Sequence, residues 1–91
     1  MGIFQPSISF IIWSVGKKNV VGEHIRLARK ASKPPLTQAD LIARLQVLGM
    51  MIDQSALSKI ESGRRPVTDI EVITLAKALK VSIASLLGDN T

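Results

Sequence analysis

Residues 36–65 of the chain read LTQADLIARLQVLGMMIDQSALSKIESGRR, and this stretch decides the fold. A helix-start pattern occurs twice in it, at Thr37 and at Asp53. In each case a polar residue follows an apolar one, and a second apolar residue comes four positions after the polar residue. A side-chain oxygen at such a position caps the unpaired amides of a first helical turn, and the flanking apolar pair directs the chain into the helix. We therefore predict two short helices, over 37–48 and 54–61.

The same helix-start signature recurs at Thr68 and Ser82. Thr68 with Glu71, and more weakly Thr37 with Asp40, also has the spacing of a capping box. Apolar residues repeat every three or four positions through the segments between these starts, as expected for helices that bury one face. The predicted helices cover 20–32, 37–48, 54–61, 69–79 and 83–87. The predicted fold class is therefore all-α, a compact bundle of about five helices.

The second and third predicted helices are short, and Gly63-Arg64-Arg65 follows them directly. Two short helices with a compact connection are typical of a helix-turn-helix. In that motif one helix crosses the phosphate backbone of DNA, and the next enters the major groove, where all four base pairs present distinct hydrogen-bonding patterns.

The distribution of charge points to an anionic partner. The chain has 91 residues, with 12 basic and 7 acidic side chains, a net charge of +5 and no cysteine. This length corresponds to one small domain, and the lack of cysteine excludes disulfide scaffolds and thiolate metal sites. Residues 17–65 hold ten basic and four acidic side chains, which favours nucleic acid or an anionic membrane surface but also suits a solvated face. No aromatic ring lies between Ser14 and Thr91, so stacking on single-stranded bases is excluded there and duplex DNA is favoured.

The first sixteen residues carry no charge and contain every aromatic side chain, including Trp13. Their apolar run is shorter than the roughly 20 residues of a membrane span, and it lacks the charge pattern of a signal peptide. We predict an N-terminal extension over 1–19, either a loosely ordered segment or an apolar segment that pairs with a second subunit. Residues 3–15 are the candidate contact for a protein partner. The domain is predicted over 20–88, with a tail at 89–91.

Four pieces of sequence occur in the order found in Cro and phage repressors. They are Val-Gly-x-x-Ile-Arg-x-x-Arg at 21–29, Leu-Thr-Gln-x-x-Leu at 36–41, Leu-Ser-Lys-Ile-Glu-Ser-Gly-Arg-Arg at 57–65 and Leu-Ala-Lys-Ala-Leu-x-Val-Ser at 75–82. The chain therefore resembles the Cro and phage-repressor (xenobiotic-response-element, XRE) helix-turn-helix family. The resemblance implies a lambda-repressor-like domain that binds double-stranded DNA sequence-specifically, as a homodimer on a palindromic operator.

The resemblance also assigns roles to individual positions. Gln38 matches a glutamine that contacts phosphate at the start of the second helix. The base-facing positions of the recognition helix are Gln54, Ser55, Ser58 and Lys59. The positions that hold phosphate after that helix are Ser62, Arg64 and Arg65. A partly buried ion pair that ties the first helix to the third is expected between Arg29 and Glu61. Glutamine can read adenine, and lysine can reach guanine, through the major groove.

One feature departs from the family pattern. The interval from Gln38 to Glu61 is longer than usual by about five residues, with Leu-Gly-Met-Met-Ile at 48–52. A lengthened connection changes the angle at which the recognition helix can dock. The base-reading positions therefore remain open at this point.

Two functions are consistent with these observations. The first is a cytoplasmic, nucleoid-associated transcriptional regulator that represses by covering its DNA site. The second is an antitoxin or other interaction module whose apolar N-terminal segment binds a partner protein. We do not expect an enzyme or a bound cofactor, because the sequence has no phosphate-cradling glycine loop, no metal-ligand cluster and no Ser/His/Asp set.

Overall fold

The computed structural model of the protein describes residues 11–12 and 20–88. Its helices are α1 (Val20–Ala31), α2 (Gln38–Val47), α3 (Gln54–Glu61), α4 (Asp69–Leu79) and α5 (Ile83–Leu87). Two short strands, β1 (Ile11–Ile12) and β2 (Val67–Thr68), accompany them. The predicted bundle of five helices is confirmed, and each predicted helix end lies within one residue of the observed end. The helix ends could be predicted from short stretches of sequence, because the groups that satisfy the terminal amides and carbonyls of a helix lie only three or four residues away along the chain.

The predicted caps account for the helix starts. At α2 the Thr37 hydroxyl accepts the Asp40 amide at 3.0 Å, and the Asp40 carboxylate accepts the Thr37 amide at 2.9 Å. Hydrogen bonds from the Thr37 backbone and hydroxyl hold the pKa of the Asp40 carboxyl below its ordinary value. Thr68 and Glu71 form the same reciprocal box at α4, with distances of 3.2 and 3.1 Å. Asp53 caps α3 by accepting the amide of Ala56 at 2.8 Å.

Glycines end the two helices of the helix-turn-helix. After α3, Gly63 has a φ of 80°, and the amide of Arg64 reaches back to the carbonyl of Lys59 at 2.8 Å. After α2, Gly49 has a φ of 93°, and the amide of Met50 reaches the carbonyl of Leu45 at 2.9 Å. Both are Schellman endings, in which a left-handed residue turns the chain back to satisfy the last carbonyls.

Every helix contributes to one core. Helix α1 packs on α3 and α5, and α2 packs on α3 and α4. The largest fully buried side chains are Ile25, Leu41, Leu45, Leu57, Ile60, Leu75 and Leu86. His24 is half-buried, and its Nδ1 donates to the carbonyl of Leu86 at 3.0 Å. No helix in the described part of the chain is long and apolar enough to cross a membrane.

The N-terminal extension contributes β1. Ile11 lies opposite Thr68 and Ile12 lies opposite Val67 in an antiparallel pair. These two residues therefore pair with a strand of the same chain, immediately before α4. The other residues of the extension, including Trp13, lie outside the described residues, as does the tail at 89–91.

Candidate nucleic-acid interface

Helix α3 has one buried side and one exposed side. Leu57, Ile60 and Glu61 are buried on the core side. The four predicted base-facing residues avoid that side: Gln54, Ser55 and Lys59 are exposed, and Ser58 is half-buried. The helix therefore presents amide, hydroxyl and ammonium groups to solvent, and these are the groups that hydrogen-bond the edges of bases.

An ion pair anchors the end of α3 to α1. Arg29 donates from Nε and Nη2 to the two carboxylate oxygens of Glu61, at 2.8 and 2.9 Å. The side chains are 11% and 4% exposed, so the pair is desolvated. Arg29 also donates from Nη1 to the carbonyl of Leu36 at 3.0 Å, just before α2. One guanidinium thus joins three elements, because its planar fork donates in several fixed directions.

Gly22 sets how closely α1 approaches α3. The residue is buried, and a Cβ built on it would lie 2.0 Å from the backbone carbonyl oxygen of Ile60. Any side chain here would push the two helices apart. Gly22 was not predicted from the sequence to have a role of its own. The available signal was a glycine inside a helix, which costs about 1 kcal/mol relative to alanine and therefore indicates a packing reason.

A line of hydrogen bonds runs from the buried ion pair to the exposed start of α3. Gln38, at the start of α2, donates from Nε2 to Glu61 Oε1 at 3.2 Å. Gln54, at the start of α3, donates from Nε2 to Gln38 Oε1 at 3.2 Å. We call Arg29, Glu61, Gln38 and Gln54 the polar chain. It orients two predicted DNA contacts, Gln38 and Gln54, against each other.

The lengthened connection between α2 and α3 leaves this geometry intact. Ile52 is buried and Met50 packs against the core, whereas Leu48 and Met51 are exposed. The first residues of α2 and α3 remain in hydrogen-bond contact across the longer connection. Gln54 therefore keeps its position beside Gln38 despite the added residues.

The turn after α3 exposes two of its three predicted phosphate contacts. The Ser62 hydroxyl donates to the carbonyl of Lys59 at 3.2 Å and accepts from Arg64 Nε at 3.0 Å. Ser62 and Arg64 are both exposed. The Arg64 guanidinium is therefore held beside the end of α3, on the solvent side, where it could reach a phosphate oxygen.

Arg65 has a different environment. It is half-buried, and its guanidinium donates to the two oxygens of Glu71 at 3.1 and 3.2 Å and to the carbonyl of Pro66 at 3.0 Å. Burial raises the pKa of the Glu71 carboxyl, but hydrogen bonds from Arg65 and the Thr68 amide outweigh it, so the pKa lies below its ordinary value. Arg65 thus ties the turn after α3 to the start of α4.

Comparisons with known proteins agree with this geometry. A helix-turn-helix family model matches residues 25–86. The chain is also similar to a crystal structure of the restriction-modification controller protein C.AhdI from Aeromonas hydrophila, with 29% sequence identity and a TM-score of 0.60. That likeness covers 72% of this chain and 89% of the controller protein. No curated protein matches the chain. The chain belongs to the XRE-type helix-turn-helix family and is a DNA-binding regulator of transcription.

Proposed function

We propose that the protein is a repressor that covers its operator by placing α3 in the major groove of double-stranded DNA. Gln54, Ser55, Ser58 and Lys59 read base edges, and Gln38, Ser62, Arg64 and Arg65 hold phosphates on either side. The observation that carries the proposal is the polar chain. Its hydrogen bonds run from the buried Arg29–Glu61 pair through Gln38 to Gln54 and so hold the exposed start of α3 in place. Preorganised side chains lose less conformational freedom on binding, which favours specific readout.

The charges around α3 support phosphate contact. Ser62 and Arg64 are exposed just after the end of α3, and the first turn of α2 carries Gln38. Phosphate contacts position a protein on the duplex, whereas base contacts carry the sequence information. We therefore propose that the groups at the two ends of the site position the protein on the duplex. The exposed side of α3 between them reads the base sequence.

We further propose that the protein binds as a homodimer to a palindromic operator. Exposed apolar side chains support association through α4 and α5. Ile70 and Ile73 are 58% and 40% exposed and share a face of α4, while Ile83 and Leu87 are 41% and 44% exposed and share a face of α5. Two copies related by a two-fold axis would present two α3 helices to half-sites about one helical turn apart.

Selection of binding sites from random duplex DNA tests these proposals together. We expect an enriched sequence with two-fold symmetry and half-sites centred roughly 10 base pairs apart. Transcription in vitro from a promoter that overlaps the selected site should fall when the protein is added. Enrichment of no sequence, or tighter binding of a single strand than of the duplex in a competition assay, would contradict readout by α3. An asymmetric selected site would contradict the dimer, and a rise in transcription would contradict repression.

The antitoxin alternative depends on the apolar composition of residues 3–15. Deletion of residues 1–16 separates it from the repressor, because α3 and the polar chain lie outside the deleted segment. Under the repressor proposal the deletion leaves sequence-specific DNA binding in place. Loss of a protein partner from the truncated chain, with DNA binding unchanged, would support the antitoxin function instead.

A further inference from the structure

The carboxyl end of α2 exposes apolar side chains that the DNA interface does not use. Val47 is 85% exposed and Leu48 is 46% exposed, at the beginning of the lengthened connection. Both line an open groove of about 360 Å³ between the carboxyl ends of α2 and α4. We call it the α2–α4 groove, and its other lining residues are Arg44, Lys77, Ala78 and Lys80.

The charged residues that line this groove all have the same sign. Arg44, Lys77 and Lys80 are basic, and none of the lining residues is acidic. Arg44 Nη1 donates to the carbonyl of Ala78 at 3.0 Å, so its guanidinium bridges α2 and the last turn of α4. The groove thus combines exposed aliphatic carbon with three cations, which matches a ligand that is both apolar and anionic.

The groove lies away from the predicted DNA contacts on the same helix. Gln38 begins α2 and Val47 ends it, so they lie nine steps apart in the helix, which is about 14 Å along its axis. A ligand in the groove would therefore leave Gln38 and Gln54 accessible. The groove can be occupied while α3 lies on DNA.

We propose that the α2–α4 groove binds an acidic, amphipathic helical segment of a partner protein. The apolar side of that segment packs on Val47 and Leu48, and its carboxylates lie at Lys77 and Lys80. This is recognition of a helix in a groove, in which apolar anchors supply affinity and flanking charges supply orientation. The site goes beyond the proposed repressor function and does not depend on it.

Neither the first sixteen residues nor the described part of the chain offers such a segment. Residues 1–16 carry no charge, so they do not match the basic rim of the groove. The described acidic residues are all engaged: Glu23, Glu61 and Glu71 pair with arginines, Asp40 and Asp53 cap helices, and Asp69 accepts the amide of Ile70. A second copy of the chain would therefore have to break existing contacts of its carboxylates before they could pair with the cations of the groove. DNA matches its cations but leaves the aliphatic side chains unused, because phosphate contacts are made by polar donors.

The test titrates the full chain, labelled with nitrogen-15, with a synthetic helical peptide. Leucines spaced three and four apart form one side of the peptide, and glutamates occupy the other positions. We expect amide shift changes concentrated at residues 44–48 and 77–80. The double variant Lys77→Glu/Lys80→Glu and the variant Val47→Ser should each weaken binding by about tenfold. The spectrum of each unbound variant verifies that it folds.

Two matched variants serve as controls. Lys30→Glu changes charge on an exposed position of α1, and Leu27→Ser removes a half-exposed aliphatic of α1; neither residue lines the groove. Neither should alter the peptide affinity. Equal weakening by the control and groove variants would overturn the proposal, and so would an absence of shifts at the groove.

Three further outcomes would each overturn the proposal. The first is that a peptide with serine in place of every leucine binds as tightly. The second is that duplex DNA shifts the groove amides more strongly than the peptide does. The third is that the groove amides shift with protein concentration alone, which would place a second copy there. Sequence-specific binding of DNA is measured on the same samples, so failure of the groove proposal and failure of the repressor proposal are distinguishable.

Discussion

The two sides of α3 differ in what surrounds them. On the buried side, Glu61 holds Arg29 in a desolvated pair, and Gly22 brings the backbone of α1 against Ile60. On the exposed side, Gln54 and Lys59 face solvent. Buried contacts of this kind decide where a helix sits, since interiors tolerate little change in volume or charge. Exposed side chains, by contrast, can be substituted to match a different DNA sequence without disturbing the core. Substitutions on the two sides should therefore separate stability from sequence preference.

Removal of Glu61 is the most severe test of the buried side. Glu61→Ala leaves the Arg29 guanidinium buried without its counter-charge, so we expect the free energy of unfolding to fall by about 4 kcal/mol. Denaturant titration followed by circular dichroism measures the change. The double variant Arg29→Met/Glu61→Leu removes both charges and should be less destabilised than Glu61→Ala. If the double variant is the less stable of the two, an unpaired charge is not the cause of the loss.

Gly22→Ala tests the close approach of α1 to α3. The new methyl group would overlap the carbonyl oxygen of Ile60, so we expect a loss of about 3 kcal/mol in the free energy of unfolding. Gly49→Ala is the matched control, because nothing lies within 4 Å of a Cβ there and only its φ of 93° is unfavourable. That control should lose about 1 kcal/mol. Equal losses of unfolding free energy in the two variants would show that the close contact between α1 and α3 does not cause the loss in Gly22→Ala.

Substitutions on the exposed side should leave the fold unchanged and alter DNA readout. Gln54→Ala and Lys59→Ala should each reduce discrimination at one base pair by about 2 kcal/mol. Their free energies of unfolding should stay within about 0.5 kcal/mol of the parent. Arg64→Ala is the control for phosphate contact and should weaken binding to all probes alike. Competition binding on a fixed set of duplexes measures both effects. A change of base preference in Arg64→Ala, with none in the α3 variants, would contradict the assignment.

The half-exposed pair Arg65–Glu71 should have the smallest effect. Glu71→Gln removes the charge and keeps the capping box, since glutamine also serves at that position. The folded protein lowers the pKa of Glu71, so its stabilisation is present above the ordinary pKa of 4.5 and is lost as pH falls through the folded value. We expect Glu71→Gln to cost at most about 1 kcal/mol at pH 7 and nothing at low pH. A loss that grows as pH falls from 7 would contradict this linkage.

Some of the interface was predictable from sequence because its determinants are local or follow a family pattern. The family resemblance predicted the base-facing positions of α3, and Gln54, Ser55 and Lys59 are exposed in the structure. The family resemblance placed Arg29 beside Glu61, and the structure has the two side chains in contact. The environment of Arg65 was not foreseen. Its partner Glu71 had already been assigned to a helix cap, and a capping role does not reveal a second contact from the preceding turn.

The positions of the five helices were encoded in short segments, because caps such as Thr37–Asp40 and Schellman turns such as Gly63 join residues that are close along the chain. The contact of Gly22 with Ile60, the bond from Gln54 to Gln38 and the exposure of Val47 were decided by folding. Each of them depends on the distance and angle between two helices, and those follow from how the whole core packs.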